Sequence, residues 1–324
     1  MKLNDNPPTL TISRNGKQYV QRLTIAIVFA LAFAVVVRST SLWSMRHPAL
    51  SMTFKNADQE RKVLPSSPSA SAADTAYARQ RKASDRLLNS MRAAPDAWIR
   101  DYFHRGTRAV WVDPFRDFYR CPGVVEKVGP LSDGGKWVCG VDTLLQRPDC
   151  VIYSIGSHGD TSFEEIMLNT TKCSVWTFDP TLDAAKVAKV NAVPGLHFSP
   201  VGLGDIDGEV DIAGKALPVR TLHTLMRERG HTWVDLFKMD IEGGEWAVLD
   251  GLIRKGVPLP ISQAQIEFHV KKPQEAIETV AGLVDMGLRV FHVEENNYCG
   301  SCPGRLYELS LANVDDEGQV VVGP

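Results

Sequence analysis

The stretch FKMDIEGGEW, residues 237–246, ends an apolar run from Val234 to Met239 with Asp240, Glu242 and Glu245 and places two glycines among the acids. A later run, ISQAQIEFHV, closes on Glu267 and His269. If both runs are strands, alternation puts Lys238, Asp240 and Glu242 on one side and Met239 and Ile241 on the other. In the later run Gln263, Gln265, Glu267 and His269 share a side. Neighbouring parallel strands then gather Asp240, Glu242, Glu267 and His269 at one rim. Such a set suits general acid–base chemistry, with His269 as base and a carboxylate orienting it, or a divalent-ion site. An internal ion pair of Lys238 with Asp240 or Glu267 accounts for the same residues without chemistry. Glu245 is read only as favouring the positive end of its own helix.

A second candidate region is SIGSHGDTSFEE, after the run CVIYSIG. Gly156 and Gly159 allow a tight backbone turn into a helix whose amino terminus can face a ligand. The spacing does not fit G-x-G-x-x-G, which weighs against a nicotinamide dehydrogenase. Asp179, in WTFDPT, follows Gly159 at roughly the 20-residue offset at which an acid meets ribose hydroxyls in dinucleotide folds. The same Asp-Pro pair also starts a helix well, so a helix cap is the competing reading.

These residues need a scaffold that brings strand ends together. From CVIYSIG onward, strand-like runs alternate with helix-like ones such as TSFEEIMLN, TLDAAKVAKVN, VRTLHTLMRER, EWAVLDGLIRKG and PQEAIETVAGLVDMG. That alternation predicts an α/β fold: a Rossmann-like, seven-stranded, mostly parallel sheet with helices on both faces. A small hairpin is expected after LHFSPVGLG. The last two runs, LRVFHVEE and RLYELSLANV, lack an intervening helix and are expected to pair antiparallel. In such sheets ligands sit outside the carboxyl ends of the strands.

The remaining sequence sets the context. Net charge is −2 over 324 residues, which gives no electrostatic case for a nucleic-acid partner. Residues 23–37, LTIAIVFALAFAVVV, are uninterrupted apolar sequence bounded by Arg22 and Arg38. With Lys2, Arg14, Lys17 and Arg22 ahead of it, the segment reads as a single-pass signal-anchor that leaves residues 1–22 as a cytosolic tail. The alternative is a cleaved signal peptide, with Ala32-Phe33-Ala34 as the cleavage signal. Type II topology would place the rest of the chain in the lumen of the secretory route (Golgi or endoplasmic reticulum). Residues 38–97, rich in Ser, Ala, Pro, Arg and Lys, are expected to form a flexible, disordered stem. Residues 98–150 then extend a core at 151–313, and 314–324 form a tail. Six cysteines agree with an oxidising compartment, and Cys299 and Cys302 are expected in disulfides with unknown partners rather than at zinc.

Taken in order, SIGSHGDTSFEE, WTFDPT, VGLGDIDGEV, VRTLHTL, DLFKMDIEGGEWAVLDGL and QIEFH resemble the FkbM-type branch of S-adenosylmethionine-dependent methyltransferases. Within it, DGGKWVC, YSIGS and FDPT are similar to the membrane-anchored methyltransferase-like protein 24 group. The resemblance covers residues 115–313 and implies methyl transfer, generally to oxygen, with S-adenosyl-L-methionine as cofactor. It implies that Ser154, Gly156 and Gly159 border the cofactor's amino-acid part, Asp179 its ribose and Asp205 its adenine. It places Asp240 beside the reacting groups, with His269 and Glu267 as further catalytic candidates. Ser154 stands where the family usually has an acid. Asp205-Ile206-Asp207 also permits a glycosyltransferase reading, with the D-x-D pair on a metal-bound nucleotide sugar, and a non-catalytic descendant of the fold is the third possibility. The acceptor, a glycan, lipid or small metabolite, is not specified.

Overall fold

The structure, a computed structural model, describes residues 70–94, 115–256, 258–270, 272–296 and 305–323, all within one unit, Pro65–Pro324. The expected anchor at 23–37, and Cys299 and Cys302, lie outside the described residues. The chain runs through helix α1 (Ala70–Arg92), strands β1 (Val125–Val128) and β2 (Lys136–Cys139), and α2 (Val141–Leu145). Then come β3 (Val151–Ile155), α3 (Ser162–Thr170), β4 (Ser174–Phe178), α4 (Ala184–Asn191) and β5 (Leu196–Ser199). Short strands β6 (Gly202–Leu203), β7 (Gly208–Ile212) and β8 (Lys215–Arg220) follow, then α5 (Leu222–Arg229). The series ends with β9 (Val234–Met239), α6 (Glu245–Lys255), β10 (Ile261–Val270), α7 (Pro273–Asp285), β11 (Leu288–Asn296) and β12 (Arg305–Asn313).

Seven strands form the main sheet in the order β11-β12-β10-β9-β3-β4-β5. The five from β10 to β5 are mutually parallel, and β12 runs antiparallel between β10 and β11. This is the expected sheet, with β7 and β8 as the expected hairpin. β3 and β9 are buried at every position, as central parallel strands covered on both sides must be. The chain leaves β3 in one direction, to β4 and β5, and returns on the other side at β9. The carboxyl ends of β3 and β9 therefore flank the topological switch point, where open α/β sheets bind ligands.

Alternation assigns the two faces. Tyr153, Ile155, Phe237, Met239, Ala264, Ile266 and Phe268 pack against α5, α6 and α7 through Leu225, Trp246, Leu249, Ile277 and Val280. On the opposite face Ile152, Val175 and Leu236 meet Val138, Leu144, Phe163 and Met167 from β2, α2 and α3. The β1–β2 hairpin lies over the polar side of β10. Gln263 completes a strand-like pair with the backbone of Cys139, accepting from its N–H at 3.0 Å and donating to its carbonyl at 2.7 Å. Gln265 and Ser310 both donate to the carbonyl of Trp137. The glutamines of ISQAQIEFHV thus serve to dock this hairpin. Two disulfides, Cys121–Cys139 and Cys150–Cys173, secure the hairpin and the starts of β3 and β4.

The expected stem is corrected in part. Residues 70–92 form one helix of 23 residues rather than a flexible segment. Tyr77, Ser84, Leu88 and Met91 are buried along it, and Leu88 and Met91 join the main core. Burying each such apolar side chain contributes roughly 1.5–3 kcal/mol, enough to hold an otherwise polar helix in place. Arg92 adds ion pairs to Glu278 and Asp285 of α7. The end of the chain is also fixed, by a bridge between Val314 and Val320 and by Tyr119, whose hydroxyl donates to the Gly318 carbonyl.

Candidate functional site

The loop after β3 is held from two sides. Asp179, at the end of β4, accepts through one oxygen from the N–H groups of Ser157 (3.1 Å) and His158 (2.8 Å). Its other oxygen accepts from the Thr181 N–H (2.9 Å) and hydroxyl (2.6 Å). Four donors fill the carboxylate's lone-pair sites. Asp179 is therefore first a brace for the glycine loop, and a ribose hydroxyl would have to share it. Gly156 adopts φ 79°, and a Cβ there would lie 1.7 Å from the carbonyl oxygen of Asp240. Only glycine lets the β3 and β9 loops approach this closely. The competing reading, an ion pair of Lys238 with Asp240 or Glu267, is not what forms; the Lys238 ammonium donates to the Gly156 carbonyl at 3.1 Å.

The loop after β9 carries the acids. Glu242 has φ 57° and His158 φ 49°, two of the three non-glycine residues with positive φ among the described residues. Such backbone costs about 1–3 kcal/mol per residue and gathers where a fold fixes a functional loop. Glu245 does more than favour its helix terminus. Fully buried, it accepts from the Gly243 N–H (2.8 Å), from the His269 N–H (2.7 Å) and from His269 Nδ1 (2.9 Å). One carboxylate thus bolts the acidic loop to β10 and fixes the imidazole.

The rim expected from alternation forms. Asp240 and Glu267 are hydrogen-bonded, and Asn296 donates to Glu267 at 2.7 Å. Burial raises the Glu267 carboxyl first, and the neighbouring Asp240 and Glu308 add to it, pushing it up to about 9. Burial would raise Asp240 as well, but Lys136 and Lys238 outweigh it and hold Asp240 below the usual carboxylate range. At neutral pH Glu267 therefore keeps its proton and donates it to an ionised Asp240. His269 is disfavoured as a cation by burial, yet Glu245, Glu267 and Glu242 overcome this and push it up to about 9. It is an imidazolium at neutral pH, with Nε2 3.3 Å from Glu242. A protonated ring donates and orients, whereas the general-base reading needs a ring that accepts.

Three participants were not singled out from sequence. Lys136 of β2, 1% exposed, reaches Asp240 at 3.4 Å and also bonds Glu308. The charges of Glu308 and Asp240 overcome the cost of burying its ammonium and raise its pKa. Glu308 of β12 is buried opposite Glu267, to which it is paired in register. Their signal was a charged residue inside an otherwise apolar run, KWVC and RLYELSL. The third, Glu164 of α3, is buried and accepts from the hydroxyl of Ser154.

Asp205 and Asp207 stand apart. Asp205 lies against Gly251 and Arg254 of α6. Asp207 spends both oxygens at the start of α5, on the Thr221 N–H (2.8 Å) and the Thr224 hydroxyl (2.7 Å), which lowers its pKa. Among the described residues the acid groups close enough to share an ion are Asp240, Glu242 and His269, and Asp133, Glu267 and Glu308; neither includes the D-x-D pair. Lys136 already places positive charge between Asp240 and Glu308. A cavity of about 490 Å³ lined by Tyr119, Cys121 and Phe291 shares no residue with the strand-end cluster.

The sheet order, with its switch point between β3 and β9, defines a Rossmann-like domain. Residues 73–307 match the Methyltransf_22 family model, a methyltransferase domain, and the chain belongs to that family. The "Probable methyltransferase-like protein 24" of Homo sapiens is 28% identical over 129 residues, covering 40% of this chain and 35% of the relative. Its namesake from Rattus norvegicus is 28% identical over 134 residues, 41% and 37% of the two chains. The chain thus spans little more than a third of the length of these curated relatives. The FkbM methyltransferase of Methylobacillus flagellatus KT aligns at a TM-score of 0.35 and 15% identity, covering 50% of this chain and 44% of that one.

Proposed function

We propose that this protein is an S-adenosylmethionine-dependent O-methyltransferase. In this reading residues 23–37 anchor it as a type II membrane protein and the domain works in the lumen of the secretory route. The observation that carries the reading is the meeting of the Gly156 turn with Asp240 at the switch point, in a chain of the methyltransferase-domain family. The loop suits the cofactor in kind: two buried atoms beside it, Glu164 Oε2 and Thr177 Oγ1, have no hydrogen-bond partner among the described residues. The cofactor supplies an electrophilic methyl group on a sulfonium.

The residues of this chain would orient the acceptor and take its proton. Ionised Asp240 accepts a hydrogen bond from an incoming hydroxyl. Its low basicity is sufficient, because the hydroxyl proton becomes strongly acidic as the new carbon–oxygen bond forms. Glu267, protonated, and Lys136 keep Asp240 fixed and charged. Glu242 and Asp240 repel an anionic acceptor, which favours a hydroxyl over a carboxylate. Proximity and exclusion of water supply the remaining acceleration. Two disulfides among the described residues support an oxidising compartment.

The glycosyltransferase alternative loses support because Asp207 caps α5 and Asp205 faces Arg254. The test is transfer of isotope-labelled methyl groups in cells carrying the wild type or Asp240→Asn, read by mass spectrometry of glycans, lipids and small metabolites. The reading expects a methyl ether that depends on Asp240. Identical methylation in cells with and without the protein would overturn it.

A further inference from the structure

Ser154, two residues ahead of the Gly156 turn, presents a buried hydroxyl, and the fold brings a carboxyl group to it. Glu164 lies in the first turn of α3, 1% exposed, and its Oε1 accepts from Ser154 Oγ. Its second oxygen, Oε2, is buried with no hydrogen-bond partner among the described residues, and no ion pair to it occurs among them. Thr177, paired in register with Ser154 on β4, likewise buries an unpartnered hydroxyl. Two orphaned polar atoms thus flank Ser154, two residues ahead of the Gly156 turn. A buried polar atom left unpaired is costly, and leucine would fill the space without it. Beside the glycine turn, an incoming ligand group would complete that bonding.

We propose that Glu164 is the cofactor-binding acid of this protein, receiving the ammonium of the methionine moiety on its free oxygen while Ser154 holds the other. The proposal rests on the methyltransferase reading. The physical need is specific. The amino terminus of α3 presents N–H groups that suit the cofactor's carboxylate, and the same positive end disfavours its ammonium. An acid in the first helical turn, turned inward beside Ser154, supplies the missing countercharge.

Isothermal titration of the full chain with S-adenosylhomocysteine and with 5′-methylthioadenosine, which lacks the amino-acid part, tests the assignment. The wild type is expected to bind both. Glu164→Gln is expected to weaken S-adenosylhomocysteine tenfold or more and leave 5′-methylthioadenosine within twofold, and Ser154→Asp added to it is expected to recover most of the loss. Unchanged affinity for S-adenosylhomocysteine, or equal loss of both ligands, would overturn the role of Glu164 alone. Failure of the wild type to bind either ligand would overturn the methyltransferase reading beneath it. Should Glu164→Gln not fold, the wild type still decides: equal affinity for S-adenosylhomocysteine and its N-acetyl derivative, which carries no ammonium, overturns the proposal.

Discussion

The ammonium of Lys136 lies 3.4 Å from Asp240 although 104 residues separate them in sequence. The link exists because Gln263, Gln265 and Ser310 hold β2 over the polar side of the sheet. Lys136→Met would leave Asp240 and Glu308 buried without their counterion. Removing one partner of such a pair costs about 3–5 kcal/mol. Urea denaturation at neutral pH should show a loss of that size, and a loss below about 1 kcal/mol would deny Lys136 this role.

Asp240→Asn retains size and the loop backbone but removes the carboxylate proposed to receive the acceptor's proton. Turnover is expected to fall roughly 100- to 1,000-fold, the usual range for loss of a proton-transfer group. Cofactor affinity, measured by titration, should stay within about threefold, a small change on the scale where tenfold is 1.4 kcal/mol. A large loss of affinity with intact turnover would move Asp240 into the cofactor's binding shell.

Much of this was legible in the chain. Continuous apolar runs announced β3 and β9, and the two-residue period of ISQAQIEFHV placed Glu267 and His269 on Asp240's side. Lys136 and Glu308 were not legible as site residues, because a hairpin and the last strand reach the rim only through tertiary packing. The helix over residues 70–92 was misread on composition. Its Ala, Arg, Lys and Gln are strong helix formers, and the spacing of Tyr77, Ser84, Leu88 and Met91 lines one face. Protonation was the other blind spot: His269 looks like a base in sequence, and the carboxylates packed around it, buried Glu245 first, push its pKa up.

Stability should fall as pH rises from about 6.5 to about 9. Glu267 and His269 are both pushed up to about 9 in the folded protein, so the native state carries protons that the unfolded chain releases earlier. For His269 the stabilisation is complete below its unfolded pKa and is lost on passing its folded one. For Glu267 a growing penalty accumulates between its unfolded pKa and about 9. Denaturation midpoints at pH 6, 7.5 and 9 should decline, on the order-of-magnitude reasoning of proton linkage, and less steeply in Glu267→Gln. A flat profile in the wild type would contradict both assignments.

Asp179→Ala removes the acceptor for four hydrogen bonds that shape the glycine loop. Stranding buried donors costs roughly 1–3 kcal/mol, so melting temperature and cofactor affinity should drop together. Loss of affinity with an unchanged melting temperature would instead make Asp179 a direct ribose ligand that contributes little to the loop.

The β3 and β9 loops together are proposed to bind S-adenosylmethionine, and isothermal titration of the full chain with that cofactor, beside a UDP-sugar, decides the matter. Saturable binding of S-adenosylmethionine only is expected, abolished by Gly156→Ala, whose methyl group would collide with the Asp240 carbonyl. Binding of the UDP-sugar alone would contradict it.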